Sequence, residues 1–466
     1  MQVRPGIDLS GKRLLVVGLA RSGVVTSLFA AGYGAVVTAA DEKPETELRE
    51  TAERLRAAGV KLELGTRNAD AFLQQDLIVV SPGVPFKLPQ LELARSHGIP
   101  VWSEIELAWR FLRGKLVAVT GSNGKTTTTA LIAHILKTAS IPMLVGGNIG
   151  TPLLALVETS TDSTVTVAEV SSFQLEAVEA FRPEIGVLLN LTPDHLDRHA
   201  SFEEYATAKM RMFDGQLDRD AAVLNADDPE VARRMPSRPQ VYWFSRQKRV
   251  AQGAFLRDGQ IFFRDRGSEF ALARRDQILL RGEHNVENVL AACASAFLAG
   301  AEPAAIAAGV KSFRAVEHRL EFVAEIGRVS YYNDSKATNV DAALKAIEAF
   351  PGSLFVILGG KDKGSPYTPL REPLHARAKA ALLIGAAAEK IATDLADAVP
   401  CVHAGTLERA LELAAERAQP GDTVLLAPAC SSFDQFQDYE HRGRVFKESV
   451  ARLENQYVAG AGPRKG

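Results

Sequence analysis

The feature that most constrains the fold is an apolar run that leads directly into a glycine-rich loop. Residues 115–120 read Lys-Leu-Val-Ala-Val-Thr, and Gly-Ser-Asn-Gly-Lys-Thr-Thr opens the helical pattern that follows. Glycines let backbone N–H groups close around phosphate oxygens, and the helix N-terminus adds positive potential. Lysine supplies a cation, and a hydroxyl can reach magnesium. The pattern predicts a phosphate loop, with ATP as the favoured ligand, at Gly121, Ser122, Asn123, Gly124, Lys125, Thr126 and Thr127.

This loop departs from the pattern G-x-x-x-x-G-K-[ST] at one position. Val119 stands where the first glycine is usual. The alternative interpretation is a plain glycine turn with an exposed lysine. The flanking strand and helix favour the phosphate loop, because that loop always joins a strand to a helix.

Short apolar runs alternate with helical patterns along the whole chain, which predicts an α/β fold with mostly parallel sheets covered by helices. The length of 466 residues suggests about three domains at roughly 150 residues each. We place a Rossmann-like domain at 1–103. A central P-loop ATPase-like domain follows at 104–315, and a second Rossmann-like domain at 316–466.

Composition excludes several classes of protein. Lys and Arg total 54 against 56 Asp and Glu, so the net charge of −2 gives no global reason to bind nucleic acid or acidic membranes. Three cysteines without a C-x-x-C pair suit a reducing cytoplasm. The long alanine-rich stretch 289–310 is interrupted by Glu302 and Pro303, which predicts two helices and not a membrane span. We expect a cytoplasmic monomer.

A phosphate loop needs a metal ion, and the ends of neighbouring strands offer ligands. One predicted strand, Thr164 to Val170, carries Glu169 near its end, and another, Ile185 to Leu191, leads into Asp194 and His195. His195 and His199 do not form H-E-x-x-H, and His195 alone is equally compatible with a capping or core role. Lys209 alone would be a solvated surface lysine.

Together these residues resemble the Mur ligase family, whose members join amino acids to a nucleotide-linked muramic acid at the expense of ATP. The resemblance covers nearly the whole chain and implies that the domain at 1–103 binds the UDP-linked substrate, the domain at 104–315 ATP and the domain at 316–466 the amino acid. Besides the phosphate loop, its motifs in chain order are Gly147-Asn148-Ile-Gly150, Glu169-Val-Ser-Ser-Phe-Gln-Leu, Asp194-His195-Leu-Asp197-Arg, Ala208-Lys209, His284-Asn285-Val-Glu-Asn288, Glu317-His318-Arg319 and Asn333-Asp334-Ser335-Lys336-Ala-Thr338-Asn339.

The resemblance implies a role for each matching residue. The implied catalytic residues are Lys125, Glu169, His195, Lys209 and Lys336. Two Mg²⁺ ions would be held by Thr126, Glu169, His195 and Lys209, with the lysine carbamylated. Besides the phosphate loop, the implied ATP-binding residues are Asn288, Arg319 and Asp334.

The C-terminal motif indicates which amino acid is added. Pro428-Ala-Cys430-Ser-Ser432-Phe-Asp434-Gln-Phe436, followed by Tyr439-Glu-His-Arg442-Gly443, resembles the D-glutamate-adding branch of the family, and the Asp-Asn-Pro-Arg motif of the diaminopimelate-adding branch does not occur. The implied reaction joins D-glutamate to UDP-N-acetylmuramoyl-L-alanine through an acyl phosphate, in peptidoglycan precursor synthesis. The implied substrate-binding residues are Arg21, Ser22, Asp41, Glu42, Ser81, Asn148, Thr338, Lys363, Ser432 and Tyr439.

Two of these assignments have local alternatives. The segment Gly359-Gly-Lys361-Asp-Lys363-Gly offers two lysines, and either can align with the family's carboxylate-binding lysine. Ser432 would cap a helix if one began after Cys430.

Three other functions deserve comparison. The turn Gly18-Leu-Ala-Arg-Ser-Gly23, with Asp41 after the next strand, suggests a NAD-dependent dehydrogenase, but the turn lacks the middle glycine of G-x-G-x-x-G. Another amide ligase, such as a folylpolyglutamate synthase or a different Mur ligase, is disfavoured by the C-terminal motif. A non-catalytic nucleotide-binding regulator is disfavoured because Glu169, His195 and Lys209 are all present.

Overall fold

The computed structural model describes residues 4, 6–65, 69–195, 198–314, 316–458 and 460. Asp197, which the sequence analysis quoted within a motif, lies outside these residues. The chain forms two compact units. The first comprises Met1–Leu191, Arg198–Gln277 and Glu287–Ser312, and the second comprises Thr192–Asp197, Ile278–Val286 and Phe313–Gly466.

The first unit contains a five-stranded parallel sheet built from the N-terminal residues. Its strands are β1 (Arg13–Val17), β2 (Val36–Asp41), β3 (Lys61–Leu64), β4 (Leu77–Val80) and β5 (Val101–Ser103), in the order β3-β2-β1-β4-β5. Its helices are α1 (Arg21–Gly32), α2 (Arg49–Ala57), α3 (Ala69–Leu73), α4 (Pro89–Ser96) and α5 (Glu104–Phe111). Successive strand residues such as Leu14, Leu15 and Val16 are all fully buried, as a sheet covered on both faces requires.

The same unit contains a nine-stranded sheet. Its strands are β6 (Lys115–Thr120), β7 (Met143–Gly147), β8 (Val165–Glu169), β9 (Ile185–Leu188), β10 (Ala221–Asn225), β11 (Gln240–Ser245), β12 (Gly253–Arg257), β13 (Gln260–Asp265) and β14 (Ser268–Arg274). Their order is β14-β13-β12-β11-β10-β9-β6-β8-β7, and only the two pairs β12-β13 and β13-β14 are antiparallel. The helices in this part of the chain are α6 (Lys125–Thr138), α7 (Ser172–Glu176), α8 (Phe202–Met210), α9 (Pro229–Ala232), α10 (Glu283–Ala299) and α11 (Pro303–Ser312).

The second unit is built on a six-stranded sheet. Its strands are β15 (Glu321–Ile326), β16 (Val329–Asn333), β17 (Leu354–Gly359), β18 (Ala378–Ile384), β19 (Cys401–Gly405) and β20 (Thr423–Leu426), in the order β15-β16-β20-β17-β18-β19. Only β15 is antiparallel to its neighbour. The helices are α12 (Val340–Glu348), α13 (Arg371–Arg377), α14 (Ala388–Leu395), α15 (Leu407–Arg417) and α16 (Tyr439–Val458).

The prediction of an α/β fold with mostly parallel sheets is confirmed. The alanine-rich stretch forms the two predicted helices α10 and α11. The three sheets fall within 1–103, 104–315 and 316–466, whereas the first two belong to one compact unit, so these domain boundaries stay predictions. Among the residues that the structure describes, no helix combines the length and apolar character that a membrane span requires.

Candidate active site

The phosphate loop joins β6 to α6 and is packed so closely that its glycines are required. Gly121 and Gly124 have φ values of 149° and 86°, a region that favours glycine. A Cβ on Gly121 would lie 3.0 Å from Leu189 Cβ, and one on Gly124 would collide with the side chain of Asn288. Asn288 is buried, so the structure brings this predicted ATP-binding residue against the loop.

Asn190, after β9, holds the loop in place. It accepts a hydrogen bond from the Ser122 N–H at its carbonyl (3.0 Å) and one from the Asn123 N–H at Oδ1 (2.8 Å). Its Nδ2 donates to the carbonyl of Asn123 at 3.1 Å. The hydroxyls of Ser122 and Tyr205 lie 3.0 Å apart. These bonds fix the direction of the loop backbone.

Two lysines meet at one carbonyl of this loop. Lys125 Nζ donates to the carbonyls of Gly121 and Ser122, each at 2.8 Å. Lys209 Nζ donates to the same Gly121 carbonyl at 3.0 Å and lies 4.6 Å from the ring centroid of Tyr205. Lys209 is 1% exposed, so the interpretation of it as a surface lysine is wrong. Two ammonium groups around one oxygen concentrate positive charge beside the loop.

Glu169, the last residue of β8, connects the phosphate loop to the Gly147–Gly150 loop. It is 3% exposed; its Oε2 accepts a hydrogen bond from Thr126 Oγ1 at 2.8 Å, and its Oε1 accepts one from Asn148 Nδ2 at 3.2 Å. The Asn148 N–H also donates to the Glu169 carbonyl at 2.8 Å. The Thr126 hydroxyl in the first turn of α6 and the Glu169 carboxylate at the end of β8 are hard oxygen donors, the type that Mg²⁺ prefers.

The predicted uridine-binding residues lie at the carboxyl ends of β1, β2 and β4. Asp41 Oδ2 accepts a hydrogen bond from the Leu19 N–H at 2.6 Å, and Ser81 Oγ donates to the Gly18 carbonyl at 2.7 Å. Arg21 Nη1 donates to the Gly150 carbonyl at 2.9 Å. The strand order reverses between β1 and β4, because β2 and β3 lie on one side of β1 and β4 and β5 on the other, and sheets of this type bind nucleotides at that point.

The two remaining residues of this predicted group are Ser22, in α1, and Glu42, which follows β2. Ser22 is half-buried and Glu42 is exposed. The Ser22 carbonyl accepts a hydrogen bond from Thr26 Oγ1 at 2.8 Å within α1.

In the second unit, Asp334 and Lys336 follow β16. Burial raises the pKa of Asp334 to about 7, and the positive charge of Arg319 acts in the opposite direction. Asp334 Oδ1 accepts a hydrogen bond from the Leu320 N–H at 3.3 Å. Lys336 Nζ lies 3.5 Å from the ring centroid of Tyr439. The structure thus brings Arg319 and Asp334 together and places Lys336 against Tyr439.

His195 belongs to a short segment of the second unit that is organised by Asp194. Asp194 Oδ2 accepts a hydrogen bond from Asn339 Nδ2 at 3.0 Å, and its Oδ1 lies 3.9 Å from Lys363 Nζ. His195 Nε2 lies 3.6 Å from the same carboxylate. The His195 side chain is 37% exposed, which excludes the core role that the sequence left open.

The structure also tests whether Ser432 caps a helix. Residues 431–438, all of them described, form a bridge and turns, and the next helix, α16, begins at Tyr439. The interpretation of Ser432 as the cap of a helix that begins after Cys430 is therefore wrong. Ser432 is 2% exposed, whereas Thr338 is half-buried and its N–H donates to the Lys336 carbonyl at 2.8 Å.

Three family profiles match successive parts of the chain. They are the MurD-like N-terminal domain of Mur ligases at residues 12–103, the Mur ligase middle domain at 119–296 and the Mur ligase glutamate ligase domain at 318–430. A protein of Koribacter versatilis, named UDP-N-acetylmuramoylalanine--D-glutamate ligase, is 53% identical over 97% of this chain and 99% of its own length. The chain belongs to the Mur ligase family.

Other Mur ligases agree with this assignment. A protein of the same name from Acidobacterium capsulatum is 55% identical over 95% of this chain and 97% of its own length. The crystal structure of a MurF ligase from Thermotoga maritima in complex with ADP covers 97% of this chain and 98% of its own, with a TM-score of 0.59 and 18% identity. At that identity the likeness concerns the fold alone.

Sequence reasoning gave no role to three residues of this Mur ligase that organise its loops. Two are Asn190 and Tyr205, described above. The third is Arg442, which is fully buried and donates to the carbonyls of Ser335 (2.8 Å) and Cys430 (3.2 Å) and to Ser335 Oγ (3.0 Å). Its position in the C-terminal motif was the available signal, but backbone acceptors leave no pattern in a sequence.

Proposed function

We propose that this chain is an ATP-dependent ligase that joins D-glutamate to UDP-N-acetylmuramoyl-L-alanine in peptidoglycan precursor synthesis. The observation that carries the proposal is the phosphate loop, where Lys125 and Lys209 share the Gly121 carbonyl, in a chain more than half identical to ligases named for this reaction. The dehydrogenase and regulator alternatives offer no reason for a buried Lys209 and a half-buried Lys125 to meet at this loop.

The charge at the loop suits the chemistry. A carboxylate is a poor electrophile, so the reaction needs a leaving group, and phosphorylation of the alanine carboxylate supplies one. Transfer of the γ-phosphoryl group brings two anions together. Lys125 lowers the cost of that approach, because a fixed cation stabilises the charge that develops in the transition state. The amine of D-glutamate then attacks the acyl phosphate, and phosphate leaves.

Thr126 and Glu169 are the proposed ligands of one Mg²⁺ ion, since their oxygens are the donor type that this ion prefers. Magnesium bound there would supply electrostatic stabilisation of the phosphoryl oxygens. His195 and Lys209 are the proposed ligands of a second ion. Lys209 fits that role only after its amine adds CO₂ and loses a proton, because an ammonium group cannot bind a cation.

The proposed substrate-binding residues come from different parts of the chain. We assign the uridine end to Arg21, Ser22, Asp41, Glu42 and Ser81, and the sugar and peptide arm to Asn148. Further nucleotide contacts are assigned to Asn288, Arg319 and Asp334, with Lys336 close to the phosphates. The D-glutamate carboxylates are assigned to Thr338, Lys363, Ser432 and Tyr439. The hydrogen bonds of Asp41, Ser81 and Asn148 at sheet edges support the first group.

We further propose that the enzyme acts as a cytoplasmic monomer. All three cysteines, Cys293, Cys401 and Cys430, are free thiols, as a reducing compartment would keep them.

The direct test measures phosphate release from ATP with purified chain, UDP-N-acetylmuramoyl-L-alanine and one amino acid at a time. D-Glutamate should trigger release and yield a product heavier by one glutamyl residue, as read by mass spectrometry. L-Glutamate and meso-diaminopimelate are the matched controls, and omission of the UDP substrate should abolish release. Stronger release with either control amino acid would contradict the proposed specificity.

A further inference from the structure

A cation-rich cavity lies in the first unit, at the edge of the nine-stranded sheet that is opposite to the phosphate loop. Its volume is about 810 Å³. The first residues of four adjacent strands line it, namely Lys115 of β6, Ile185 of β9, Ala221 of β10 and Gln240 of β11. The phosphate loop follows the other end of β6, so this cavity is separate from the candidate active site.

The lining carries a marked excess of positive charge. Among the described residues, its cationic side chains are Arg4, Arg110, Arg113, Lys115, Arg182, Arg219 and Arg266, and its carboxylates are Asp162, Glu184 and Asp220. Glu106 pairs with Arg110 at 2.7 Å, so seven cations stand against four carboxylates once Glu106 is counted. The whole chain has a net charge of −2, so the excess is local.

The carboxylates are already engaged by part of this set. The ion pairs are Arg4–Glu184 at 3.1 Å, Arg113–Asp162 at 2.9 Å and Arg182–Asp220 at 2.6 Å. No carboxylate oxygen of the described residues lies within 4.0 Å of Lys115 or Arg266, both of which are exposed. Two cations are thus available to an anion that enters the cavity.

The cavity also has a rigid cationic wall. The Arg4 side chain is 10% exposed, and its guanidinium donates to the carbonyls of Leu112 (2.8 Å) and Gly114 (3.0 Å) as well as to Glu184. A guanidinium held by several acceptors is already oriented before a ligand arrives, which lowers the entropic cost of binding. Arg4 therefore gives the cavity a fixed wall beside the exposed Lys115 and Arg266, while its own Nη donors stay on protein acceptors.

We propose that this cavity binds a small molecule that carries a diphosphate group. Its volume lies within the 300–1,000 Å³ that is usual for small-molecule sites. Arg266 can donate paired hydrogen bonds to phosphate oxygens, and a diphosphate offers several negative charges to Arg266 and Lys115. The shared chemistry is the diphosphate, whether it is free or attached to a nucleoside.

The test is calorimetric titration of the native chain and its variants with inorganic pyrophosphate. The phosphate loop is expected to give one binding event and the cavity a second. The variant Lys115→Ala/Arg266→Ala should weaken the second event at least about tenfold, since it removes two charges, and leave the first unchanged. The matched control is Arg54→Ala/Lys61→Ala, which removes one exposed arginine and one exposed lysine elsewhere in the same unit.

A parallel titration with ADP separates the two sources of the diphosphate. Tighter cavity binding of ADP than of pyrophosphate identifies a nucleoside-linked ligand, and weaker binding identifies a free diphosphate. Arg266→Glu, in the turn between β13 and β14, gives a second variant that leaves β6 intact. The proposal is overturned if the native chain shows no second event, or if both cavity variants bind pyrophosphate as the native chain does.

Discussion

The phosphate loop and the loops of the second unit each enclose a buried cation, and each cation is held by backbone carbonyls. Lys209 donates to the Gly121 carbonyl, whereas the Arg442 guanidinium donates to the carbonyls of Ser335 and Cys430. An ammonium group readily changes its protonation state when buried, but a guanidinium stays charged and offers five donors in a fixed plane. Lys209 is therefore suited to a chemical role, and Arg442 is suited to holding loops in position.

The acceptors of Arg442 explain why the second unit needs a side chain with several hydrogen-bond donors. Ser335 stands between Asp334 and Lys336, and Cys430 precedes the turn that contains Ser432. The guanidinium therefore connects the two segments that carry predicted nucleotide and D-glutamate contacts. Its burial lowers the pKa of Arg442 to about 10, so the group stays charged at neutral pH.

The largest effect is expected at the phosphate loop. Lys125→Ala should reduce kcat by a factor of about 10² to 10³, because it removes a fixed charge from the transition state while the loop keeps its Asn190 bonds. Steady-state phosphate release measures the effect. Lys137→Ala, an exposed lysine at the other end of α6, is the control. Near-native turnover in a folded Lys125→Ala protein would remove the phosphate-loop assignment.

Lys209 tests the chemical half of the comparison. Lys209→Ala should be severely impaired in turnover and partly restored by acetate, since a small carboxylate can take the place of a lysine carbamate. Lys209→Arg keeps a positive charge but cannot be carbamylated, so it should stay inactive and gain nothing from acetate. If Lys209→Arg is as active as the native chain, the role of Lys209 is that of a simple cation.

Arg442 tests the structural half. Arg442→Met keeps the length of the side chain but leaves buried carbonyls without donors, which should destabilise the protein by about 2–4 kcal/mol. Urea unfolding measures the loss, and Arg444→Met on the exposed side of α16 is the control. If Arg442 acted only through its charge, lysine could replace it without loss of stability. An Arg442→Lys protein as stable as the native chain would therefore contradict a role for the several guanidinium donors.

Ser432 should show a smaller and more selective effect. Ser432→Ala should raise the KM for D-glutamate by the equivalent of about 1–3 kcal/mol and leave the KM for ATP nearly unchanged, because the loss concerns one buried hydrogen-bonding partner. Ser431→Ala is the neighbouring control. Equal increases in both KM values would show that Ser432 supports the loop and does not contact D-glutamate.

The smallest effect concerns a buried anion, the counterpart of the two cations. Burial raises the pKa of Glu104 to about 7, against the hydrogen bond that its carboxylate accepts from the Leu154 N–H at 2.7 Å. Between about pH 4.5 and pH 7 the folded state keeps a proton that the unfolded state has lost, so stability falls as the pH rises through this window. Above pH 7 the penalty stays constant.

Glu104→Gln should remove that dependence. The melting temperature of the variant should exceed that of the native chain by a few degrees at pH 8 and approach it at pH 5. Glu302→Gln, at an exposed position, should match the native chain at both values. The opposite result would be a melting temperature of the native chain that increases, relative to that of Glu104→Gln, from pH 5 to pH 8. It would show that Glu104 is ionised and stabilising.

Much of the fold was predictable because apolar runs of strand length stand between helical patterns. The bounds of β6 agree to the residue with the apolar run at 115–120. The strand β10, which reads Ala-Ala-Val-Leu-Asn, was not predicted, since alanine pairs do not distinguish a strand from a helix.

The site was predictable where its chemistry depends on side-chain type in a local pattern, as in the phosphate loop. The burial of Lys209 was not, because it depends on where α8 meets the loop after β6. The Ser432 cap was wrong for a related reason. The helix begins later, and Asp438 Oδ1 accepts a hydrogen bond from the His441 N–H at 2.6 Å at its start.

The shared carbonyl of Gly121 has a further consequence. A carbonyl oxygen has two lone pairs, and two lysines use them here. The orientation of a single peptide plane therefore helps to position two charges, and a flip of that plane would remove the Gly121 acceptor from both lysines while Lys125 kept the Ser122 carbonyl. A substitution that turned this one carbonyl would therefore move two charges at the loop without altering either lysine.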